Sequence, residues 1–410
     1  MVMSYDLAVY LPEALDAEAL TALVDASIGL QLEEIADGGS GDGPQNWHIL
    51  RGKRAAYCFT LEGPFLVEPE DVPHEVTAAV LGAGVMYSIL VEGAEPVSIA
   101  HAVRFAKRLA KEGNGAAQDL QTEEIWPKTS TRAAARPERD TMIDIVEVRW
   151  YHLMDEVRDD FPQRYLDLAR QYLPEALPKR FGSYEPLQRN LARDGDQAFV
   201  KFFSEDCDVS TVGSFPTAGA YFKGVFGGHM KQDRPTRKGD VQVVSISIHR
   251  LALEDPRWRE ALERFFIAVA IELRSFYATA EVDSGWGWNG RSLWCYASKP
   301  SLYSQKEAWG QWLGLSPHPV WMAWFSPLYS DLVRPHLQGA VQKYPEGIMH
   351  RFGDGPLGRE EIIERWPEAG EWVPVELTGA VGHPESRFAD VMPERLTRML
   401  VAPPPKPDRT

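Results

Sequence analysis

The residues best placed to do chemistry in this chain are Glu281 and Asp283, which stand just before the run Ser284-Gly285-Trp286-Gly287-Trp288-Asn289. Carboxylates beside tryptophans suit a sugar cleft. There, indole faces stack on sugar rings, and one carboxyl group protonates the glycosidic oxygen while a second attacks or activates water. That chemistry needs a defined separation between two acids, which a sequence does not display. The plainer reading is a turn at Asp283-Ser284-Gly285 after a helix, with Trp286 and Trp288 packed in a core. Residue types alone favour the plainer reading.

Other chemistries find less support. The ten histidines are scattered, without an HExxH or HxH pair. Those near the aromatic part of the chain, His318 and His336, would need an Asp, Glu or Cys brought to them by the fold to make a metal or base site, which a sequence does not display. Ser214 in GSFP lacks the GxSxG frame of a nucleophile elbow. Cys207 lies in SEDCD, where flanking acids disfavour a thiolate. Gly224, Gly227 and Gly228 precede no helix pattern, so they mark a turn and not a dinucleotide loop. Lys223, Lys231, Arg234, Arg237 and Lys238 read as a solvated hairpin loop. The expectation is a protein without catalytic residues, metal or cofactor.

The most unusual stretch is WGQWLGLSPHPVWMAWFSPLY, Trp309–Tyr329. It holds Trp309, Trp312, Trp321 and Trp324, with Trp286, Trp288 and Trp294 just upstream and Pro317, Pro319 and Pro327 interrupting it. No ordinary helix carries prolines at that density, and no surface loop needs so much aromatic area. Such residues either pack a core or present a rigid contact face, where Trp and Tyr carry much of the binding energy. If a partner docks here, its contacts come from Trp286, Trp288, Trp312, Trp321, Trp324 and Tyr329, with some of the six in the core.

The elements that must position these residues fall into two modules. Residues 1–128 alternate strand and helix patterns. Strands are expected at Ser4–Leu11, Gln31–Ala36, Ala55–Leu61, Val85–Val91 and Ala117–Trp126. One helix follows Pro12 and another, capped by Ser98, spans Ser98–Lys111. The order suggests a small α+β sandwich of ferredoxin-like type. Thr129–Asp140 reads as a linker. Residues 141–400 form a larger mixed-sheet α+β domain. It opens with a strand at Met142–Leu153, in which Ile143, Ile145, Glu147 and Arg149 do not fit one face of an exposed strand. A helix at Phe161–Tyr172, strands at Ala198–Ser204, Ala220–Gly227 and Asp240–Arg250, and a helix from Asp255 to about Ala280 follow. Beyond the tryptophans come a strand at Gly347–Phe352, a helix at Arg359–Trp366 and a Pro-rich tail, 401–410. No internal repeat of fixed period is visible.

Composition narrows the function. A formal net charge of −16 disfavours nucleic acid and anionic membrane as partners and favours a basic protein. Three cysteines without a paired spacing fit a reducing compartment. The N-terminus has no basic segment followed by an apolar run, and no apolar stretch has the length of a membrane span, so a cytoplasmic location is expected.

Trp309–Val333 resembles a segment of bacterial immunity proteins of polymorphic-toxin and type VI secretion systems, in particular the group called immunity protein 52. Gly314-Leu315 and Pro317 match its Gly-Leu-Pro, Phe325 and Tyr329 match its Phe-Gly-x-x-Tyr, and Leu332-Val333 match the apolar pair that follows. Ser316 intervenes before the proline, and Ser326 stands where the pattern has glycine. Ala176–Gln188 is also similar to bacterial proteins of this kind, and the likeness spans Met142–Arg398. The resemblance implies a non-enzymatic cytoplasmic protein that binds a cognate toxin, itself basic, and occludes its active site. Two alternatives stay open: a glycan-directed hydrolase using Glu281 or Asp283, and an adaptor subunit of a bacterial complex.

Overall fold

A computed structural model describes residues 4–34, 45–68, 72–80, 82–127, 141–153, 156–182, 189–205, 212–214, 225–231, 241–288, 293–295, 307–308, 311–379 and 388–397. The expected linker, Cys207, Trp309 and the tail lie outside them. The chain forms two compact units, Met1–Pro137 and Glu138–Thr410.

The first unit runs β1 (Tyr5–Leu11), α1 (Ala17–Asp25), β2 (Leu30–Glu34), β3 (Gln45–Arg51), β4 (Ala56–Leu66), α2 (His74–Thr77), β5 (Val85–Val91), α3 (Pro96–Glu112), β6 (Ala116–Asp119) and β7 (Ile125–Trp126). Its sheet has the order β2-β3-β4-β5-β1-β6-β7, antiparallel throughout. The inner path β4-β5-β1-β6, with α1 and α3 packed on one core, is the expected ferredoxin-like order. Strand β3, which the sequence reading did not anticipate, pairs with β2 and extends one edge. Strand β1 is buried on both faces. Leu7, Val9 and Leu11 join the core under α1 and α3, while Ala8 and Tyr10 join a smaller cluster with Val76 and Val80. Helix α3 begins at Pro96 behind Glu95 and not at Ser98. The Ser98 hydroxyl instead donates to the Glu95 carboxylate at 2.8 Å.

The second unit contains β8 (Thr141–Leu153), α4 (Phe161–Tyr172), β9 (Arg180–Phe181), β10 (Arg189–Asn190), α5 (Leu191–Glu205), β11 (Val212–Ser214), β12 (Val225–Lys231), β13 (Val241–His249), α6 (Pro256–Glu272), β14 (Tyr277–Trp288), β15 (Leu293–Cys295), β16 (Glu307–Ala308), β17 (Gln311–Trp312), β18 (Met322–Phe325), α7 (Pro327–Val333), β19 (Ala340–Tyr344), β20 (Gly347–Arg351), α8 (Arg359–Arg365) and α9 (Glu394–Thr397). The main sheet is ordered β11-β12-β13-β8-β14-β18-β20-β19, with β15 paired to β14. Within it, the path β12-β13-β8-β14 is that of β4-β5-β1-β6 in the first unit, again with two crossover helices, α4 and α6, in one core. The same βαββαβ arrangement is therefore built twice, without a matching period in the sequence.

Two expected elements differ. Ala198–Ser204, read as a strand from its aromatic content, lies inside α5, where Phe199, Phe202 and Phe203 recur at helical spacing and are buried. The helix expected to reach Ala280 stops at Glu272. Arg274 takes a left-handed conformation (φ 53°), and the chain leaves as β14.

The main sheet is covered on both faces. On one, Val148, Trp150, Ile246, Ala278 and Trp324 pack against α4 and α6. On the other, Tyr151, Tyr277, Phe325 and Ile348 pack under Trp312, Leu315, Val320 and Trp372 from the chain that follows β17 and α8. Pro327 sits in the first turn of α7, capped by the Ser326 hydroxyl, which accepts from Leu328 N at 3.2 Å. Where the covering strand of chain meets Thr378, Gly314 has φ 138°, and a Cβ there would lie 2.5 Å from Gly379 N. Gly314→Ala is expected to destabilise the second unit by about 2 kcal/mol or more, read as a lower urea midpoint. An unchanged midpoint would show that the covering segment is not held this closely.

Candidate functional site

Strand β14 carries the site, and a single irregularity in it decides which side chains meet. Side chains two apart share a face of a strand, so Tyr277, Thr279, Glu281 and Asp283 project together. They lie opposite Tyr151, Arg149, Glu147 and Ile145 of β8. The register then slips between Asp283 and Trp286, with Gly285 at φ 89°. The extra residue reverses the alternation, so Trp286 and Trp288, opposite Ile143 and Thr141, fall on the same face as the two acids. Asp283-Ser284-Gly285 is thus a bulge inside a strand, not a turn after a helix.

The same register answers the question posed by β8. Ile143, Ile145, Glu147 and Arg149 do share one face. The strand is not exposed there: Trp288 packs on Ile143 and Ile145, and the two charged residues lie half-buried beyond them. Arg149 reaches Glu147 at 3.4 Å, and the Ser247 hydroxyl of β13 donates to Glu147 at 2.5 Å. Burial works against the Arg149 charge, but Glu147, Tyr151, Glu281 and Asp283 overcome it and hold the guanidinium protonated beyond its ordinary range. Burial pushes the Asp283 carboxyl above the ordinary carboxylate range. The Trp286 indole and Arg149 pull the other way, and Glu147 and Glu281 add to the rise.

In front of Glu281 and Asp283 lies a cavity of about 400 Å³. One wall is Glu281–Ser284 of β14, a second is Ser316 and His318–Trp321, and a third is Leu357–Glu361 at the start of α8. Arg250 also lines it, with its guanidinium donating to Asp144 at 3.2 Å, to Glu361 at 2.6 Å and to the Pro356 carbonyl at 3.1 Å. Glu361 also accepts from Gly358 N at 2.5 Å. Four carboxylates therefore border the space, and one of them, Glu361, is bound to Arg250. Among the described residues, no group of three or more His, Cys, Asp or Glu is disposed to hold a metal ion. No helix among them is long and apolar enough to cross a membrane.

The six residues singled out as partner contacts occupy different positions from one another. Trp312, Trp321, Trp324 and Tyr329 are at most 1% exposed, Trp288 is 3% exposed, and Trp286 is half-buried. The polar ends of several are satisfied inside: Trp312 Nε1 donates to the Tyr329 hydroxyl at 2.8 Å and Trp324 Nε1 to the Ser275 carbonyl at 3.1 Å. Five of the six are core residues, and only Trp286 is within reach of a partner docking on this surface. Burial follows from the prolines, which let the chain fold back over the sheet and lay its aromatic residues on it. Glu281 and Asp283, from the alternative reading, do line a cavity. Glu147, Arg149, Arg250, Glu360 and Glu361 were not anticipated. The signal that could have found the first two is the pair of charges interrupting the apolar strand MIDIVEVRWYHL.

The fold and site define an α+β protein of two units, the second with an acid-rich cavity beside its central strands. No protein-family model matches the chain, and no curated protein matches it. Among solved structures, the Pseudomonas aeruginosa T6SS protein PA0821 is similar at 14% sequence identity with a TM-score of 0.38, over 64% of this chain and 82% of that one. A likeness of that extent assigns neither fold nor function.

Proposed function

We propose that this protein is a non-enzymatic inhibitor that binds a basic bacterial toxin in the cytoplasm of the cell that makes it and occludes the toxin's active site. The observation that carries this reading is the acidic lining of the cavity, where the four carboxylates Glu281, Asp283, Glu360 and Glu361 stand with two arginines, Arg359 and the Arg250 that holds Glu361. A basic surface is drawn to such a patch and oriented by it, and the net charge of −16 extends the attraction beyond contact distance. The half-buried Trp286 adds an aromatic surface beside the acids. The resemblance of Trp309–Val333 to the immunity protein 52 group supports a toxin as the partner.

Affinity purification of the full chain from its producing cell, at low salt, tests the reading. It is supported by one basic protein at equal stoichiometry whose growth inhibition is relieved by co-expression of this chain. Charge reversal at the exposed Glu360 (Glu360→Lys) should then weaken the complex. Absence of any such protein under gentle conditions overturns it.

One observation favours a second reading, a glycan-directed hydrolase. Glu360 and Glu361 border the same cavity as Glu281 and Asp283, and the raised pKa of Asp283 is the property a general acid needs. Release of reducing sugar from an oligosaccharide panel, abolished by Asp283→Asn, would support it. No turnover across the panel would remove it.

A further inference from the structure

We propose that the first unit carries a docking surface for a basic protein. It is the open half of the sheet, where Leu50, Tyr57 and Leu90 form an apolar centre between Asp6, Glu33 and Glu62. Alternation puts all six on the face away from α1 and α3, because Leu7, Leu32, Ile49, Cys58, Leu61 and Ile89, each one residue away, join the core under those helices. The register makes them neighbours: Glu33 stands opposite His48, Leu50 opposite Tyr57, and Leu90 opposite both Thr60 and Asp6. The Tyr57 hydroxyl donates to the Leu90 carbonyl at 3.3 Å, and the His48 ring meets the Tyr57 ring edge-on at 5.6 Å. Leu50, Tyr57 and Leu90 are half-buried and join no core cluster among the described residues. The cluster around Val76 and Val80 covers only the other end of this face, at Ala8, Tyr10 and Ala116. In the second unit, the face away from the helices is covered by Trp312, Leu315, Val320 and Trp372.

Charge chooses the occupant. Met1–Pro137 holds twenty acidic and ten basic residues, so it carries −10 of the formal −16. Its described cations stand away from the open half or at its corner. Arg104, Lys107, Arg108 and Lys111 belong to α3, on the other side of the sheet. Arg51 pairs with Glu95 at 3.0 Å, and Lys53 and Arg54 occupy the turn between β3 and β4, at one corner of the face. The acids of the face meet little positive charge. Asp6 accepts from neutral donors, the Ser4 hydroxyl and the Gln121 amide, both at 3.2 Å. Glu33 reaches His48 at 4.0 Å, and the Glu62 carboxylate has no ion-pair partner among the described residues. An apolar centre between carboxylates matches a protein surface that sets an apolar residue among lysines or arginines. Burial of the centre supplies affinity, while the charges orient the partner and speed encounter. The same charges repel nucleic acid and anionic membrane. The inference rests on the proposed toxin-inhibitor reading only for the identity of the basic protein.

The test uses the full chain with isotope-labelled leucine methyls and two probes of opposite charge, acetyl-Lys-Lys-Leu-Leu-Lys-Lys-amide and acetyl-Glu-Glu-Leu-Leu-Glu-Glu-amide. At low salt the lysine probe should give saturable shifts of the Leu50 and Leu90 methyls, with the glutamate probe weaker by about tenfold or more. Glu62→Lys and Leu90→Arg, read at the Leu50 methyls, should each weaken the lysine probe by roughly tenfold. Glu360→Lys, at the cavity of the second unit, should leave that titration unchanged. Far-UV circular dichroism checks the variants, and Glu62→Gln, which keeps the apolar centre, serves if Leu90→Arg does not fold. Absence of shifts at Leu50 and Leu90, equal affinity for both probes, or full affinity in the variants overturns the proposal. Self-association of the chain that Leu90→Arg abolishes would assign the face to a second copy and overturn it as well. Probe binding here by a chain that captures no basic protein would uphold the surface and sink the toxin reading alone. Capture of a toxin whose affinity survives Glu62→Lys and Leu90→Arg would do the reverse.

Discussion

Replacing Trp324 by alanine is expected to destabilise the second unit by about 3–5 kcal/mol, because it empties a large volume in a close-packed core. Trp324 is 1% exposed and belongs to the core shared by the sheet with α4 and α6. Its indole N–H donates to the Ser275 carbonyl at 3.1 Å, its ring lies 5.7 Å from that of Tyr344, and Gly347 packs so tightly on it that a Cβ there would come within 2.8 Å. The variant loses the packing and leaves the Ser275 carbonyl without this donor, which adds roughly 1 kcal/mol. Urea unfolding followed by intrinsic fluorescence checks this, since all tryptophans but Trp47 and Trp126 lie in the second unit. A partner-contact residue would behave in the opposite way, with an unchanged midpoint and lost binding. A shift under about 0.5 kcal/mol would therefore return Trp324 to the surface.

The second unit is also expected to lose stability steeply as pH falls from 6.5 towards 4, through His152 and His350. Burial holds both imidazoles down to about 4, against the hydrogen bonds that His152 makes with the Trp150 backbone and the Gln242 side chain and the one that His350 donates to the Gln338 carbonyl. His350 Nε2–H donates to that carbonyl, while its buried Nδ1 has no hydrogen-bond partner among the described residues, so a proton added there would be left buried and unpaired. An unfolded histidine takes up its proton near pH 6.5. Between pH 6.5 and 4 the unfolded chain therefore binds protons that the folded chain does not, and stability falls with falling pH across that window. Each pKa unit corresponds to about 1.4 kcal/mol, so each histidine contributes roughly 3 kcal/mol of loss. Asp283 works in the other direction, because its raised pKa lets the folded state take a proton before the unfolded one does. Most of the histidine loss precedes the titration of carboxylates whose pKa is lowered, such as Asp194 and Asp196. Urea midpoints at pH 7, 6 and 5 should fall for the native chain and fall less for a His152→Asn, His350→Asn variant. A flat profile across that range would contradict the neutral, buried state of both rings.

The duplicated βαββαβ path bears on how the site arose within the fold. In both units the strand before the first helix becomes an interior strand, β1 or β8, flanked by the third and fourth strands of the motif. In the first unit, the sheet face away from α1 and α3 is partly covered by the cluster around Val76 and Val80. In the second it is covered by the Trp-rich chain and the segment after α8, and the cavity lies where that cover meets the acids of β14.

The class of fold was legible in the sequence because its signals are local. Alternation in β5 and β13, the apolar stripe of α3 and the breaks at Gly113 and Pro327 each act within a few residues. The same locality exposed Glu281 and Asp283 as acids beside tryptophans. What those acids face was decided by tertiary structure. Glu147 and Arg149 come from a strand distant in sequence, and Glu360 and Glu361 from a helix beyond the aromatic segment. A one-residue bulge at Gly285 sets which side of the sheet Trp286 and Trp288 share with the acids. The fate of the tryptophans was likewise undetermined by residue type, since indoles serve cores and interfaces equally well. Only the fold-back of the proline-interrupted chain over a sheet already covered on its other side by α4 and α6 placed five of the six singled-out aromatics inside and left Trp286 half-buried.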